Sequence, residues 1–263
     1  MNSAVFSIST PDYVNNAAVS LDSFARNCSF SVDIFNLTID DISNKYCNTN
    51  IQKFLEKYNS DHNKLRWSLK PILLMYFLVD KQYTNTIYID NDLYFVNNID
   101  FLIKDIDKGI LLTKHNRPLY PSTNNFLNSQ FLCNFTDGFF NAGFIGANIN
   151  GLDALSWWSS MNYWQCTKAK NYGLFDDQKY LDTMALQFHG CINICEHPGC
   201  NLATWNSQTI TRSFENSRWT INNFYDPIFC HFSGIENQHE RLDPMLHDFY
   251  KNFVQEVNGY GKQ

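Results

Sequence analysis

At 263 residues, with 44% hydrophobic and 17% charged side chains, the chain is long enough to bury a sizeable core and fits one large α/β domain. Its net charge is -6 and it carries no run of basic residues, which excludes the electrostatic footprint of a nucleic-acid binder, so an anionic ligand would need local help from a cation. The longest clean apolar run, Pro71 to Val79, is too short to span a bilayer, and MNSAVFSIST lacks the basic start and apolar core of a signal. The expectation is a cytoplasmic chain without a transmembrane segment, with peripheral membrane contact as the alternative.

Alternating apolar residues over Ala4 to Ile8 predict a short buried strand, and the Thr10-Pro11-Asp12 turn after it caps a helix from about Tyr13 to Arg26. A second strand covers Ser31 to Leu37. LRWSLKPILLMYFLV then reads as a mostly buried helix, with Pro71 in a first turn or at a kink. In TIYIDNDLYF the β-rich run Ile87-Tyr88-Ile89 stops at Asp90, because two carboxylates one residue apart cannot enter an apolar sheet core unpaired. Open parallel sheets bind ligands outside the carboxyl ends of their strands, so Asp90 and Asp92 are placed where a ligand would sit. Their hard oxygens suit Mg²⁺ or Mn²⁺, ions that bridge protein carboxylates to a nucleotide's pyrophosphate.

Further strands are expected at Gly109 to Thr113 and Phe144 to Asn148, and helices at Leu152 to Trp164 and Gln178 to Phe188; the Asn-rich stretch from Arg117 to Asn134 reads as the longest loop. In FFNAGFIGANI, Asn141, Ala142 and Gly143 form a small-residue turn before a strand, where backbone can approach a ligand closely. FDDQKYLD puts Asp176, Asp177 and Gln178 at a predicted helix N-terminus, where acids also serve simply as caps. His189, Cys191, Cys195, His197 and Cys200 crowd HGCINICEHPGC, yet no CxxC knuckle is present, so ordinary reduced cysteines are favoured over a zinc site. In FCHFSG, His231 follows an apolar stretch and is a competent third ligand beside two carboxylates; a lone buried histidine is otherwise structural. The polar tail after Val254 is expected to fray.

TIYIDNDLYF, FFNAGFIGANI, DDQKYLD, NLATWN and CHFSG occur in the order seen in the family 8 glycosyltransferases, and as a set the chain resembles that family from about Ala4 to Gly234. The resemblance implies a single GT-A (Rossmann-like) α/β domain with a central, mostly parallel mixed sheet flanked by helices. Residues 1–100 would be its nucleotide-binding half, 101–240 its sugar- and acceptor-binding half, and 241–263 a C-terminal helix and tail. It implies transfer of a sugar, with retention, from a nucleotide-sugar donor, a UDP-sugar by the family's habit, to a hydroxyl of a glycan or glycolipid.

Asp90, Asp92 and His231 would then hold Mn²⁺ or Mg²⁺. Thr10 and Tyr13 would contact the nucleotide base, and Lys70 the donor phosphate or sugar, its bland reading being an exposed helix charge. Asn91, Ala142, Gly143 and Gly234 would line the donor, Asn141 and Asp177 would hydrogen-bond the transferred sugar, and Gln178 would lie nearest the reacting carbon. The family continues HF-x-G-x-x-KPW, with the lysine on the diphosphate, whereas this chain reads HFSGIENQHERLDP and leaves Gln238, His239 or Arg241 as substitutes. The basic, aromatic tail that tethers some bacterial members to membranes is also missing.

Three rivals remain. An inverting transferase would use Asp137 or Asp176 as general base. A sugar-nucleotide pyrophosphorylase would need a Gly-rich loop where SISTPDYVNN has no glycine. A non-catalytic glycan-binding protein would have no need of the acid pair and histidine together.

Overall fold

The computed structural model describes residues 2–237 and 239–260. The first half runs β1 (Ser3–Ser9), α1 (Val14–Arg26), β2 (Val32–Thr38), α2 (Ile39–Lys45), α3 (Thr49–Lys57), α4 (His62–Ser68), α5 (Lys70–Val79), β3 (Asn85–Ile89), β4 (Leu93–Phe95) and α6 (Asp100–Lys104). The second half runs β5 (Ile110–Lys114), α7 (Asn125–Thr136), β6 (Phe140–Asn148), α8 (Leu152–Trp164), β7 (Lys168–Ala169), β8 (Leu174–Phe175), α9 (Tyr180–Gln187), β9 (Ile192–Cys195), β10 (Arg212–Glu215), β11 (Arg218–Ile221), β12 (Phe229–His231) and α10 (Pro244–Tyr260).

The central sheet has the order β2-β1-β3-β6-β5-β9. Only β6 runs against its neighbours; β1 pairs in parallel with β2 and β3, and β5 with β9. This is the α/β class that the alternation of strands and helices predicts, with the mixed, mostly parallel sheet flanked by helices that the family resemblance implies. All of β1 is buried, as a central parallel strand covered on both faces must be. Its period-two alternation sends Phe6 and Ile8 to one core, with Phe77, Tyr88 and Trp158, and Val5 to the other, with Phe24, Ile87 and Phe144. A third core joins Tyr94, Phe232 and Phe253, fastening α10 against the short sheet that β4 and β12 form.

Four local expectations change. The helix expected over residues 65–79 is two, α4 and α5; Pro71 sits in the first turn of α5, where its missing N–H leaves no helical bond unmade. The stretch from Arg117 to Asn134 is not one long loop, because the Asn124 side chain accepts from Leu127 N at 3.1 Å and starts α7, with Phe131 and Phe135 packed one turn apart. Asn141-Ala142-Gly143 is no turn but the start of β6, opposite a bulge in β5 between Leu112 and Thr113. The end of the chain does not fray after Val254. The helix α10 continues to Tyr260, with Phe253 in the core and Glu256 bound to Arg26 at 2.8 Å, and residues 261–263 lie outside the described residues. Among the described residues, no helix is long and apolar enough to cross a membrane.

Candidate metal centre and its cavity

The strand β3 ends at Ile89, and Asp90 N donates to Gly143 O at 2.7 Å, so the first acid leaves the sheet beside the start of β6. A tight turn then brings Asp92 round to β4. There the register with β12 sets His231 against Leu93, and Phe232 N donates to Asp92 O at 3.0 Å. Sequence positions far apart thus converge: His231 Nε2 lies 3.2 Å from Asp92 Oδ1 and 4.0 Å from Asp90 Oδ2.

One ligand atom from each of these three residues lies within 4.8 Å of the other two, a donor set of two carboxylates and one imidazole that fits Mn²⁺ or Mg²⁺. Gly143 completes the fit. A Cβ there would stand 2.7 Å from both Asn141 Oδ1 and His231 Cε1 and 3.0 Å from Asp90 Oδ2, so only a glycine lets the strand pass behind the cluster. Among the described residues this is the group of three such side chains that the fold assembles; His189, Cys191, Cys195, His197 and Cys200 do not gather into another.

The charges behind the cluster are fixed by burial. Lys70 is buried, not an exposed helix charge, and does not line the cavity. Its ammonium lies 3.1 Å from Asp177 Oδ2 and 3.5 Å from Asp90 Oδ1, donates to Ala142 O at 3.0 Å, and stands over the Tyr88 ring. Burial alone would push the Asp90 carboxyl up, but Lys70, His231, Arg66 and the Tyr88 hydroxyl outweigh it and hold the group ionised, below its usual range. Burial works against the His231 imidazolium too, yet Asp92 and Asp90 more than offset it and its pKa stands above the ordinary value. Asp177 goes the other way, raised by burial and by Asp90 despite Lys70.

In front of the cluster lies a cavity of ≈ 330 Å³ whose walls include Asp90, Asn91, Asp92, Asn141, Gln178 and His231. Gln178 is held on every side. Its Oε1 accepts from Asn141 Nδ2 at 3.2 Å and Ala142 N at 3.3 Å, and its Nε2 donates to Asp137 O at 2.9 Å. Asn141 in turn has its Oδ1 taken by Gly143 N at 2.9 Å, which points its amide at Gln178 and at His115 Nε2. The Asn91 side chain is buried on this wall, and among the described residues its Nδ2 has no hydrogen-bond partner. Such a donor calls for a ligand acceptor.

Asp176, Asp177 and Gln178 precede α9, which starts at Tyr180 and is preceded by Lys179, so neither acid caps it; Asp176 adopts φ 48° and Asp177 O accepts from Trp158 Nε1 at 2.8 Å. Thr10 and Tyr13 sit at the carboxyl end of β1, the strand paired with β3, and Tyr13 is half exposed; neither lines the cavity. Gly234 has φ 74° and open space around it. His239 Nδ1 accepts from Arg241 N, and Arg241 faces α10 with His247 and Lys251; neither lines the cavity, and Gln238 lies outside the described residues.

Sequence reasoning passed over Arg66, His115, Arg117, Lys168 and Trp205, all on the cavity wall. His115 is buried and stays neutral, its pKa far below the ordinary value through burial and the nearby Arg117 and His231. The Trp205 ring packs edge-on against both His115 and His231, and Trp205 Nε1 donates to His115 O at 3.0 Å. Only NLATWN, quoted for its resemblance, carried a signal for Trp205. A larger cavity of ≈ 640 Å³ adjoins through Arg117; it is walled by Pro118, Leu119, Tyr120, Phe139 and Ile210 and holds none of the three candidate metal ligands.

No family model matches the chain. It is 29% identical over 218 residues to the uncharacterised protein YfnF of Bacillus subtilis (strain 168), covering 76% of this chain and 70% of that one. Among solved structures it is similar to the galactosyltransferase LgtC in complex with donor and acceptor sugar analogs, at a TM-score of 0.53 and 13% identity over 98% of this chain and 96% of that one. Mouse xyloside xylosyltransferase 1 in its apo form gives a TM-score of 0.52 at 12% identity, over 88% and 97% of the two chains. At such identities the likeness is one of architecture, and the architecture is the GT-A glycosyltransferase fold.

Proposed function

We propose that the chain is a metal-dependent glycosyltransferase that moves a sugar from a nucleotide-sugar donor, a UDP-sugar, to a hydroxyl of a glycan or glycolipid, with retention. The observation that carries this reading is the convergence of Asp90, Asp92 and His231 on the wall of a cavity that Gln178 also lines. Bound by those three side chains, Mn²⁺ or Mg²⁺ supplies positive charge where the leaving diphosphate develops negative charge.

The remaining work belongs to the protein's own groups. Residues 1–100 hold the nucleotide, with Tyr13 stacking on the base and Thr10 beside it. Residues 101–240 hold the sugars. Asn141 and Asp177 hydrogen-bond the transferred sugar, with Asn91, Ala142, Gly143 and Gly234 shaping the donor site. Gln178 lies against the reacting carbon, oriented by its three hydrogen bonds so that little rotamer freedom is left to lose on binding. Lys70 stays behind the site and keeps Asp90 ionised. The acceptor hydroxyl enters from the larger cavity, and the leaving phosphate helps accept its proton.

The inverting alternative has one observation in its favour: Asp137 lines the cavity, held by Lys170 at 2.7 Å and Arg117 at 3.6 Å, whereas Asp176 does not reach it. Thermal-shift screening of UDP-, GDP- and CMP-sugars with and without Mn²⁺ tests the proposal, since a ligand that binds the native state raises Tm. The expected outcome is a Mn²⁺-dependent shift with UDP-sugars, accompanied by release of UDP; a chain that binds none of these donors sinks the reading.

A further inference from the structure

A donor diphosphate needs a cation besides the metal, and the expected lysine after HF-x-G is absent. The cavity wall offers three cations: Arg66, Arg117 and Lys168. Two are already engaged. Arg117 lies 3.6 Å from Asp137 and donates to the carbonyls of Cys133 and Gly138, and Lys168 lies 3.5 Å from Asp176 over the Trp67 and Phe175 rings.

Arg66 differs. It stands in the last turn of α4, one helical turn before Lys70. Its Nε is buried without a hydrogen-bond partner, as is that of Arg117, but among the described residues no carboxylate approaches the Arg66 guanidinium within salt-bridge distance, whereas Arg117 has Asp137 and two carbonyls. Leaving such a donor unsatisfied in a largely enclosed site is costly unless a ligand supplies the acceptor. Burial would weaken its charge, but Asp90, Tyr88, Asp92 and Asp177 together keep it firmly protonated. A planar guanidinium facing the cavity beside two metal-ligating carboxylates is suited to take two phosphate oxygens at once, which an ammonium cannot do.

Resting on the glycosyltransferase reading, we propose that Arg66 binds the diphosphate of the nucleotide donor, in place of the lysine that this chain lacks. The anion then lies between the metal held by Asp90, Asp92 and His231 on one side and the Arg66 fork on the other. Arg66 thus serves two conditions of the site. Without nucleotide its charge offsets part of that of Asp90 and Asp92, and with nucleotide it turns to the phosphate.

The test is calorimetric titration of the full chain in saturating Mn²⁺ with UDP and with uridine, for the wild type, Arg66→Gln and Arg66→Lys. Arg66→Gln should weaken UDP about 10- to 100-fold and leave uridine within about 3-fold, since only the former presents phosphate. Arg66→Lys keeps the charge but not the fork and should lose about 5-fold on UDP, again without effect on uridine. Titrated with Mn²⁺ alone, Arg66→Gln should bind the ion more tightly than the wild type, a change of opposite sign that a merely loosened structure would not give. Should Arg66→Gln fail to fold, the Arg66→Lys comparison decides. Wild type and variants that bind UDP equally overturn this inference alone; a wild type that binds no UDP in Mn²⁺ overturns it together with the glycosyltransferase reading.

Discussion

Asp90 and Asp176 are both aspartates at ends of strands, drawn largely out of water, and their carboxyls move in opposite directions. Asp90 is held below the usual carboxylate range, while Asp176 is pushed up to about 6. Desolvation is the largest influence on each, so burial does not separate them. The neighbours do. Around Asp90 stand Lys70, His231, Arg66 and the Tyr88 hydroxyl; around Asp176 stand the partly exposed Lys168 at 3.5 Å, the like charge of Asp177 and, more weakly, Lys70. Neighbouring cations keep Asp90 in the ionised form that a metal ligand needs, whereas Asp176, with fewer of them, holds its proton to higher pH.

The largest expected effect comes from removing a carboxylate at the cation-rich end. Asp92→Ala should reduce Mn²⁺-dependent UDP release at least about 10³-fold, the scale of losing a principal electrostatic contact in a transition state. The fold should remain intact, because Asp92 is partly exposed, its side chain meets the chain at His231 Nε2, and the carbonyl bond to Phe232 N belongs to the backbone and survives the substitution. Unchanged turnover with an unchanged far-UV spectrum would remove the metal assignment. Lys70→Met comes next and attacks the support of Asp90 directly. The ammonium is 2% exposed and neutralises both Asp90 and Asp177, so its loss strands buried charge. It should cost about 3–5 kcal/mol in urea unfolding; a loss under about 1 kcal/mol would mean that the carboxylates are not interdependent.

How much of this contrast the sequence disclosed depends on how local each feature is. The end of β3 at Asp90 was readable because IYI followed by two acids has one sensible boundary, and the burial of β1 followed from its apolar alternation. The approach of His231 was not readable from spacing, since it depends on β12 pairing with β4 across the 133 residues from 96 to 228, with α10 packed on the same core. It came instead from the company of five short motifs. The start of α7 was missed because a capping asparagine in an Asn-rich stretch looks like loop. The same locality hid Arg66: on α4 it reads as an ordinary helical charge, and its importance lies in bonds it does not make.

A smaller effect should follow at Gly143, behind the metal cluster. Gly143→Ala places a methyl 2.7 Å from His231 Cε1 and Asn141 Oδ1, and the neighbour must give way. Since both lie on the cavity wall, the expected result is about a tenfold loss of Mn²⁺ affinity, as when a supporting contact of a ligand is disturbed. Thermal stability should change little. Equal Mn²⁺ titrations of the variant and wild type would show that the cluster has room that the close approach denies.

The smallest effect should come from the cation-poor aspartate, and it should be a gain. Because the folded-state pKa of Asp176 lies above the unfolded value, the ionised group costs stability at neutral pH; the cost disappears as pH falls through about 6 towards the ordinary aspartate value. Asp176→Asn removes that charge without changing shape, and asparagine tolerates the φ of 48° at this position as well as aspartate does. Lys168 loses a partner at 3.5 Å but is half exposed and can turn to water. The variant should therefore be more stable at pH 7.5 by about 1–2 kcal/mol, and the advantage should shrink to nothing below about pH 4. The same substitution at the other aspartate, Asp90→Asn, should show the reverse dependence. The stability held by the ionised Asp90 is present above the ordinary carboxylate pKa and lost as pH falls through its lowered folded value, so this variant should be destabilised at neutral pH and approach the wild type in acid. Parallel urea titrations of the two variants from about pH 8 down to about pH 2, with the Asp176→Asn change read between about pH 7 and 4 and the Asp90→Asn change below about pH 4, would show opposite slopes if neighbouring cations, not burial, set these two carboxyls apart; slopes of one sign would end the comparison.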